Sequence, residues 1–183
     1  MCTTLKIMNI EIRKFKNCDV ASFHQAVLEA AKHASGWLPW CNERYSLSEA
    51  EQWVRSSIEE WEVGNEYRFV IVESDSQEVV GSIAINNIIK AHKIGNLGYW
   101  VRGSCLNKGV CSSAAKLVIE YAFKNLNFSR IEIVVLESNV ASIRVAEKIG
   151  ATYEGTLKNK ISLNGISLPA RCYSVIPQEK KAF

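Results

Sequence analysis

Residues 95–123, GNLGYWVRGSCLNKGVCSSAAKLVIEYAF, constrain the fold more than any other stretch of the chain. An aromatic and apolar run reads as a strand. It passes through a polar turn ending in Lys108-Gly109 into a segment whose apolar positions Ala115, Val118, Ile119 and Ala122 share one helical face. A glycine at such a junction lets backbone N–H groups approach a ligand closely. The first helical turn adds unpaired donors and the positive end of its dipole. Two readings stay open on these residues alone: a seat for a phosphate or pyrophosphate, or a glycine that merely lets the chain turn.

The rest of the sequence supplies one sheet and its helices. Ile10 and Ile12 alternate with Glu11 and Arg13, as in a half-buried first strand. Asp19 is placed to cap a helix carrying Val20, Phe23 and Val27. The aromatic loop Gly36-Trp37-Leu38-Pro39-Trp40 either plugs the core or walls a binding site. Ser48 and Glu51 form a capping box for a second helix, with Ala50, Trp53, Val54, Ser57 and Trp61 on one face and Gly64 at its end. Two β-rich runs, 67–72 and 79–89, flank a hairpin turn at 74–77, and a further turn at 90–93 leads into the organising stretch. Beyond it, RIEIVVL at 130–136 is the nearly continuous apolar run of a strand covered on both faces. A short helix follows Glu137-Ser138-Asn139, with Ile143, Ala146 and Ile149 inward and Gly150 at its end. A strand restarts at 151–157, and Asn164-Gly165 is a two-residue hairpin turn between 160–163 and 166–176, since both residues tolerate positive φ.

With 183 residues and 48% hydrophobic composition, the chain can build one full core, and three prolines argue against a hinged pair of domains. We therefore expect one mixed α/β domain over residues 9–178, with short tails at 1–8 and 179–183. A net charge of +3, spread along the chain, gives no footprint for nucleic acid. The N-terminus has no apolar leader segment, and no stretch is long and apolar enough to span a membrane. The six cysteines form no C-x-x-C and have no histidine at zinc spacing, which predicts free thiols in a reduced cytoplasmic protein and no metal centre. Neither a P-loop, a G-x-G-x-x-G, a G-x-S-x-G nor an H-E-x-x-H occurs.

Gly98-Tyr99-Trp100-Val101, then Asn107-Lys108-Gly109-Val110-Cys111, then Asn139, Ser142, Lys148, Gly150 and Glu154-Gly155 occur in that order. Together they resemble the GNAT acyltransferase superfamily, and within it the branch that acetylates the N-terminal alanine or serine of ribosomal proteins. The resemblance spans nearly the whole chain. It implies a single mixed, mostly antiparallel twisted sheet with helices on both faces and two splayed parallel central strands, with acetyl-CoA as cosubstrate in the opening between them. Tyr99, Trp100 and Val101 would then meet the pantetheine arm with their backbone. The N–H groups of Lys108, Gly109, Val110, Cys111 and Ser112 would seat the pyrophosphate. Asn139 would bind the pantetheine amide, its side chain offering both a donor and an acceptor.

The chain departs from the family pattern at Leu106, Asn107 and Cys111 around the cradle, and more deeply at its acids and bases. Asn96 and Ile161 stand where relatives place carboxylates, and Ala146 stands where many place a tyrosine. Only Ser142 keeps a matching catalytic position. The implied mechanism is direct attack of a neutral amine on the thioester, with backbone N–H groups near Tyr99 and Trp100 holding the oxyanion. Ser142 would serve the leaving thiolate or else satisfy a local N–H, while Glu137 and Glu154 are bases through water or else structural.

A weak base favours an α-amine. At pH ~7.5 roughly a third of an α-amine is neutral, against about 0.1% of a lysine-type amine, a gap of about 3.5 kcal/mol. The expected acceptor is therefore a protein N-terminal α-amine of the ribosomal type, acted on by a monomer or homodimer. Two alternatives remain: a small amine such as a polyamine or aminoglycoside, and an acyl-CoA-binding module that has lost catalysis.

Overall fold

The computed structural model describes residues 4–7 and 9–177. The expected tail at 179–183 and Cys2 lie outside the described residues. Its eight strands are β1 (Thr4–Ile7), β2 (Ile10–Lys14), β3 (Tyr67–Glu73), β4 (Val79–Ile89), β5 (Ile94–Val101), β6 (Arg130–Leu136), β7 (Thr152–Leu163) and β8 (Ile166–Val175). They form one sheet in the order β1-β2-β3-β4-β5-β6-β8-β7. Its helices are α1 (Val20–Ala34), α2 (Leu47–Val63), α3 (Val110–Asn125) and α4 (Val140–Lys148). The strand β1 adds an edge before the strand expected first.

Every strand pairing is antiparallel except β5 with β6. That parallel pairing covers only Ile94 with Arg130, Gly95 with Ile131 and Asn96 with Glu132, after which the two strands diverge. The Asn96 side chain closes the point of divergence. Its Oδ1 accepts from Val134 N–H at 3.3 Å and its Nδ2 donates to Asn86 Oδ1 at 2.8 Å. Position 96 thus serves to tie three strands together, β4 through Asn86 and β6 through Val134.

The alternation of strand side chains divides the core into two layers. Phe69, Ile71, Ile83, Ile85, Ile131 and Ile133 face Ala114, Ala115, Val118 and Ala122 of α3. On the opposite side Val70, Val72 and Trp100 pack with Phe23, Ala26 and Val27 of α1 and with Ala50 and Val54 of α2. Phe23 sits amid rings: Phe15 at 5.4 Å and Trp100 at 5.7 Å edge-on, and Trp53 stacked at 6.0 Å. β6 differs from its expected double coverage. Ile131, Ile133 and Val135 are buried, but Glu132 and Val134 on the other face are half-buried, because α1 and α2 lie over β3 to β5 and leave that face open.

Three local expectations change. The capping box of α2 is Ser46 with Glu49, two residues earlier than expected. Ser46 Oγ accepts from Glu49 N–H at 3.2 Å and Glu49 Oε2 accepts from Ser46 N–H at 2.7 Å. Asp19 stands at the start of α1 but does not cap it, because Arg13 of β2 takes both carboxylate oxygens at 2.8 Å. The strands expected at 151–157 and 160–163 are one strand, β7, bent where Asn159 adopts φ 51° and the register with β8 shifts. Asn164 and Gly165 take φ of 51° and 78°, as the hairpin signal required.

Arg130 locks the outer strands. Its Nη1 donates to Glu154 Oε1 at 2.7 Å, its Nη2 to Oε2, and Ser174 Oγ adds a bond to Oε1 at 2.7 Å. The guanidinium, then the hydroxyl, hold the Glu154 carboxyl at about 2, below its ordinary 4.5. A depressed carboxyl contributes stability that is fully present above about pH 4.5 and lost as the pH falls through about 2. The pair is partly exposed and screened, so its worth is under about 1 kcal/mol. Urea unfolding of Glu154→Gln should show that small deficit at pH 7 and none at pH 2. A deficit unchanged at pH 2 would contradict the assignment.

Candidate active site

The divergence of β5 and β6 opens a cavity of about 570 Å³, walled by the end of β5, the start of α3, α4, and the end of α1 with the turn that follows it. On the β5 wall are Tyr99, Trp100 and Val101. Trp100 pairs with Ser82 of β4, and its indole is wedged between Phe23 and Trp40, whose ring centroid lies 6.0 Å away. The aromatic loop at 36–40 therefore does both things considered for it. Trp40 stacks on Trp53 at 4.9 Å in the core, while Trp37 and Leu38 face the cavity.

The cradle begins α3. Asn107 and Gly109 both adopt left-handed φ, 59° and 77°, an alternation that turns consecutive N–H groups to one side. Ser113 N–H is bonded to Gly109 O at 3.0 Å, the 5→1 bond that opens α3. The preceding N–H groups of Val110, Cys111 and Ser112 belong to the orphan donors of a helix start. Ser112 Oγ turns back to Gly109 O at 2.9 Å. A Cβ on Gly109 would stand 3.7 Å from Lys148 Nζ, so the last turn of α4 brings an ammonium against the cradle. Donors, dipole and ammonium all favour an anion. Burial pushes the Cys111 thiol up to about 12, so it is a protonated packing group.

Asn139 is the N-cap of α4, its Oδ1 accepting from Ser142 N–H at 3.1 Å, which leaves the Nδ2 donors for a ligand. Ser142 Oγ meets Tyr99 Oη at 3.0 Å, and Tyr99 Oη is also 3.2 Å from Ser142 O. Burial raises the Tyr99 phenol above its ordinary value against the opposing effect of the Ser142 bond, so it stays protonated. When Tyr99 donates to Ser142, the Ser142 proton is free to point at a leaving group.

The cavity thus gathers Tyr99, Trp100, Val101, Gly109, Val110, Cys111, Ser112, Asn139 and Ser142 from the sequence reading. It does not gather Lys108, whose side chain is exposed outside the wall, or Glu137. Glu137 lies on the surface with Thr156 Oγ1 at 3.3 Å and Arg171 Nε at 3.8 Å, held there by the β7 and β8 strands rather than by α4. Glu154 is committed to Arg130 and, with its depressed pKa, is a poor base. Ala146 is fully buried in the α3 layer and does not line this cavity. The sequence assigns no role to His33 and Arg144 and marks Lys148 only as a motif position, whereas Trp37 and Leu38 belong to the loop expected to plug the core or wall a site. The Arg144 and Lys148 spacing of one helical turn was the available signal for two of them.

The model of the family described as Acetyltransferase (GNAT) domain matches residues 9–152. The chain belongs to the GNAT acetyltransferase family. It is 30% identical over 123 residues to the protein named "Probable N-acetyltransferase YjcK" from Bacillus subtilis, covering 67% of this chain and 68% of that one. It is also 30% identical over 101 residues to a spermidine N(1)-acetyltransferase of Escherichia coli, covering 55% and 53%. The chain thus spans about two thirds of the first relative and half of the second. A ribosomal L7/L12 α-N-protein acetyltransferase, RimL, solved with coenzyme A, shares the fold with a TM-score of 0.86 at 24% identity, over 95% of this chain and 98% of that one. As a GNAT protein the chain is an acyltransferase that uses acetyl-CoA. No helix among the described residues is long and apolar enough to cross a membrane.

Proposed function

We propose that this acetyltransferase acts on protein N-terminal α-amines, of the kind carried by ribosomal proteins, in the cytoplasm. The observation that carries this reading is the chemistry of the cavity wall: it includes no aspartate or glutamate, and Trp37 and Leu38 make part of it apolar. A polyamine brings several positive charges and finds no carboxylate on such a wall, whereas a peptide N-terminus brings one amine followed by neutral backbone.

Acetyl-CoA, when bound, supplies the thioester. The chain's own groups fit it: the N–H groups of Val110, Cys111 and Ser112, with Lys148 beside Gly109, suit the pyrophosphate, and the free Nδ2 of Asn139 suits a pantetheine carbonyl. Tyr99 offers backbone groups on the edge of β5 that β6 leaves unpaired, and at Val101 the carbonyl already meets His33 Nε2 at 3.1 Å. Ser142, backed by Tyr99, delivers a proton to the leaving sulfur.

Purified protein with acetyl-CoA should release CoA on peptides beginning with Ala or Ser, and far more slowly on spermidine. Turnover on spermidine alone would reverse the acceptor assignment, and thermal stabilisation by acetyl-CoA without any acetylation would point to a binding module. Ser142→Ala should lower kcat about 10–100-fold with little change in the KM for acetyl-CoA. Equal kcat in wild type and variant would remove Ser142 from the mechanism.

A further inference from the structure

The amine must lose a proton, and the groups that could accept one are few. The titratable side chains of the cavity wall are His33, Tyr99, Cys105, Cys111, Arg144 and Lys148. Burial keeps the Tyr99 phenol and the Cys111 thiol protonated, and arginine and lysine are cations at neutral pH. Glu137 and Glu154 stand outside the wall. His33 brings an imidazole to the wall, and its unprotonated ring nitrogen is a proton acceptor.

Its orientation is fixed. His33 lies in the last turn of α1, and its Nε2 sits 3.1 Å from Val101 O at the end of β5. A carbonyl only accepts, so Nε2 carries the hydrogen and the lone pair of the neutral ring falls on Nδ1. No described residue hydrogen-bonds Nδ1. Val101 is the second residue after Tyr99 on β5, and His33 lines the same cavity as Tyr99 and Ser142.

We propose that His33 is the general base of the acetyl transfer, taking the acceptor's proton on Nδ1 while Val101 O holds the ring in the required tautomer. The inference rests on the acetyl-transfer reading above. An ammonium acceptor gives one proton to His33 Nδ1. As the nitrogen lone pair forms the C–N bond and the C–S pair leaves with sulfur, the second amine proton reaches sulfur by way of Ser142 Oγ. The imidazolium then releases its proton to solvent, so amide, thiol and one proton are the balanced products. The titratable and charged groups on the elements beside the ring are Glu29 and Lys32 on α1, Arg102 and Cys105 after β5, and Arg144 and Lys148 on the cavity wall. Glu29 is already engaged by Arg102 Nε at 2.6 Å and Ser104 N–H at 2.6 Å. α2 and β4 contribute no residue to the wall.

His33→Gln tests this, because glutamine keeps an N–H donor for Val101 O and removes the base. Thermal melting should be close to wild type. On an Ala-starting peptide kcat/KM at neutral pH should fall about 100-fold, and the variant's rate should climb about tenfold per pH unit toward the amine's own ionisation, where wild type is flatter. Nitrogen NMR of the free wild-type protein should show the proton on Nε2 and a bare Nδ1. An unchanged pH profile in His33→Gln, or an Nδ1–H tautomer, overturns the base assignment while leaving the acceptor reading intact. A wild-type protein that acetylates no amine overturns both.

Discussion

Asp19→Asn is expected to destabilise the protein by about 3–5 kcal/mol, with a fall in melting temperature of roughly 10 °C. Arg13 and Asp19 are each only 4% exposed and are joined by two bonds of 2.8 Å between β2 and the start of α1. Asp19 Oδ2 also accepts from Lys16 N–H at 2.7 Å, and Arg13 Nη1 donates to Lys14 O at 3.1 Å. The bond from Asp19 raises the Arg13 pKa further, so the guanidinium stays charged whatever happens to its partner. Removing the carboxylate charge therefore leaves a buried cation without compensation. The network is already incomplete, since Arg13 Nε is buried with no partner among the described residues. For that reason replacing both residues by apolar ones of similar volume should cost far less than either single change. Urea unfolding of the two single variants and the double variant measures the coupling. A single-variant loss under 1 kcal/mol would show that the pair is hydrated.

Gly81→Ala is expected to damage both stability and acetyl-CoA binding. A Cβ at position 81 would stand 2.3 Å from Trp100 O, 2.9 Å from Val101 Cγ1 and 3.0 Å from Val101 Cα. Two of these atoms belong to the backbone of β5, which has no rotamer to change. The end of β5 must therefore move away from β4, at a cost of about 3 kcal/mol. The displaced residues, Trp100 and Val101, are those that wall the cavity. Affinity for acetyl-CoA, measured by calorimetry, should drop by roughly tenfold or more, about 1.4 kcal/mol. A variant with wild-type affinity and stability would mean that the spacing between β4 and β5 is looser than described.

The readable parts of the sequence were those governed by one residue and its immediate neighbours. Asn164-Gly165 required positive φ at both positions, and both have it. The α3 face of Ala115, Val118, Ile119 and Ala122 is buried as its spacing required. Where local signals competed, the sequence could not choose. Ser46 and Ser48 are each followed three residues later by a glutamate, and only the extended backbone of Ser46, at φ −92° and ψ 161°, identifies the cap. Asp19 was placed for a cap, but a guanidinium from another strand held it more strongly than an N–H of its own helix.

The site divides along the same line. The chain alone determined a strand, a turn at Gly109 and a helix start, because turn residues and apolar period are local properties. It also placed Asn139 and Ser142 at the head of the next helix; that Asn139 caps this helix by accepting from Ser142 N–H is seen only in the structure. Only the tertiary structure decided what stands around them. The parting of β5 from β6 after Asn96 makes the cavity, and that parting depends on three strands and one side-chain amide. His33, Trp37 and Lys148 meet there from α1, the turn after it and α4, and Glu137 is carried away by β7 and β8. Contacts between residues so distant in sequence are set by packing and charge in three dimensions, which no local period encodes.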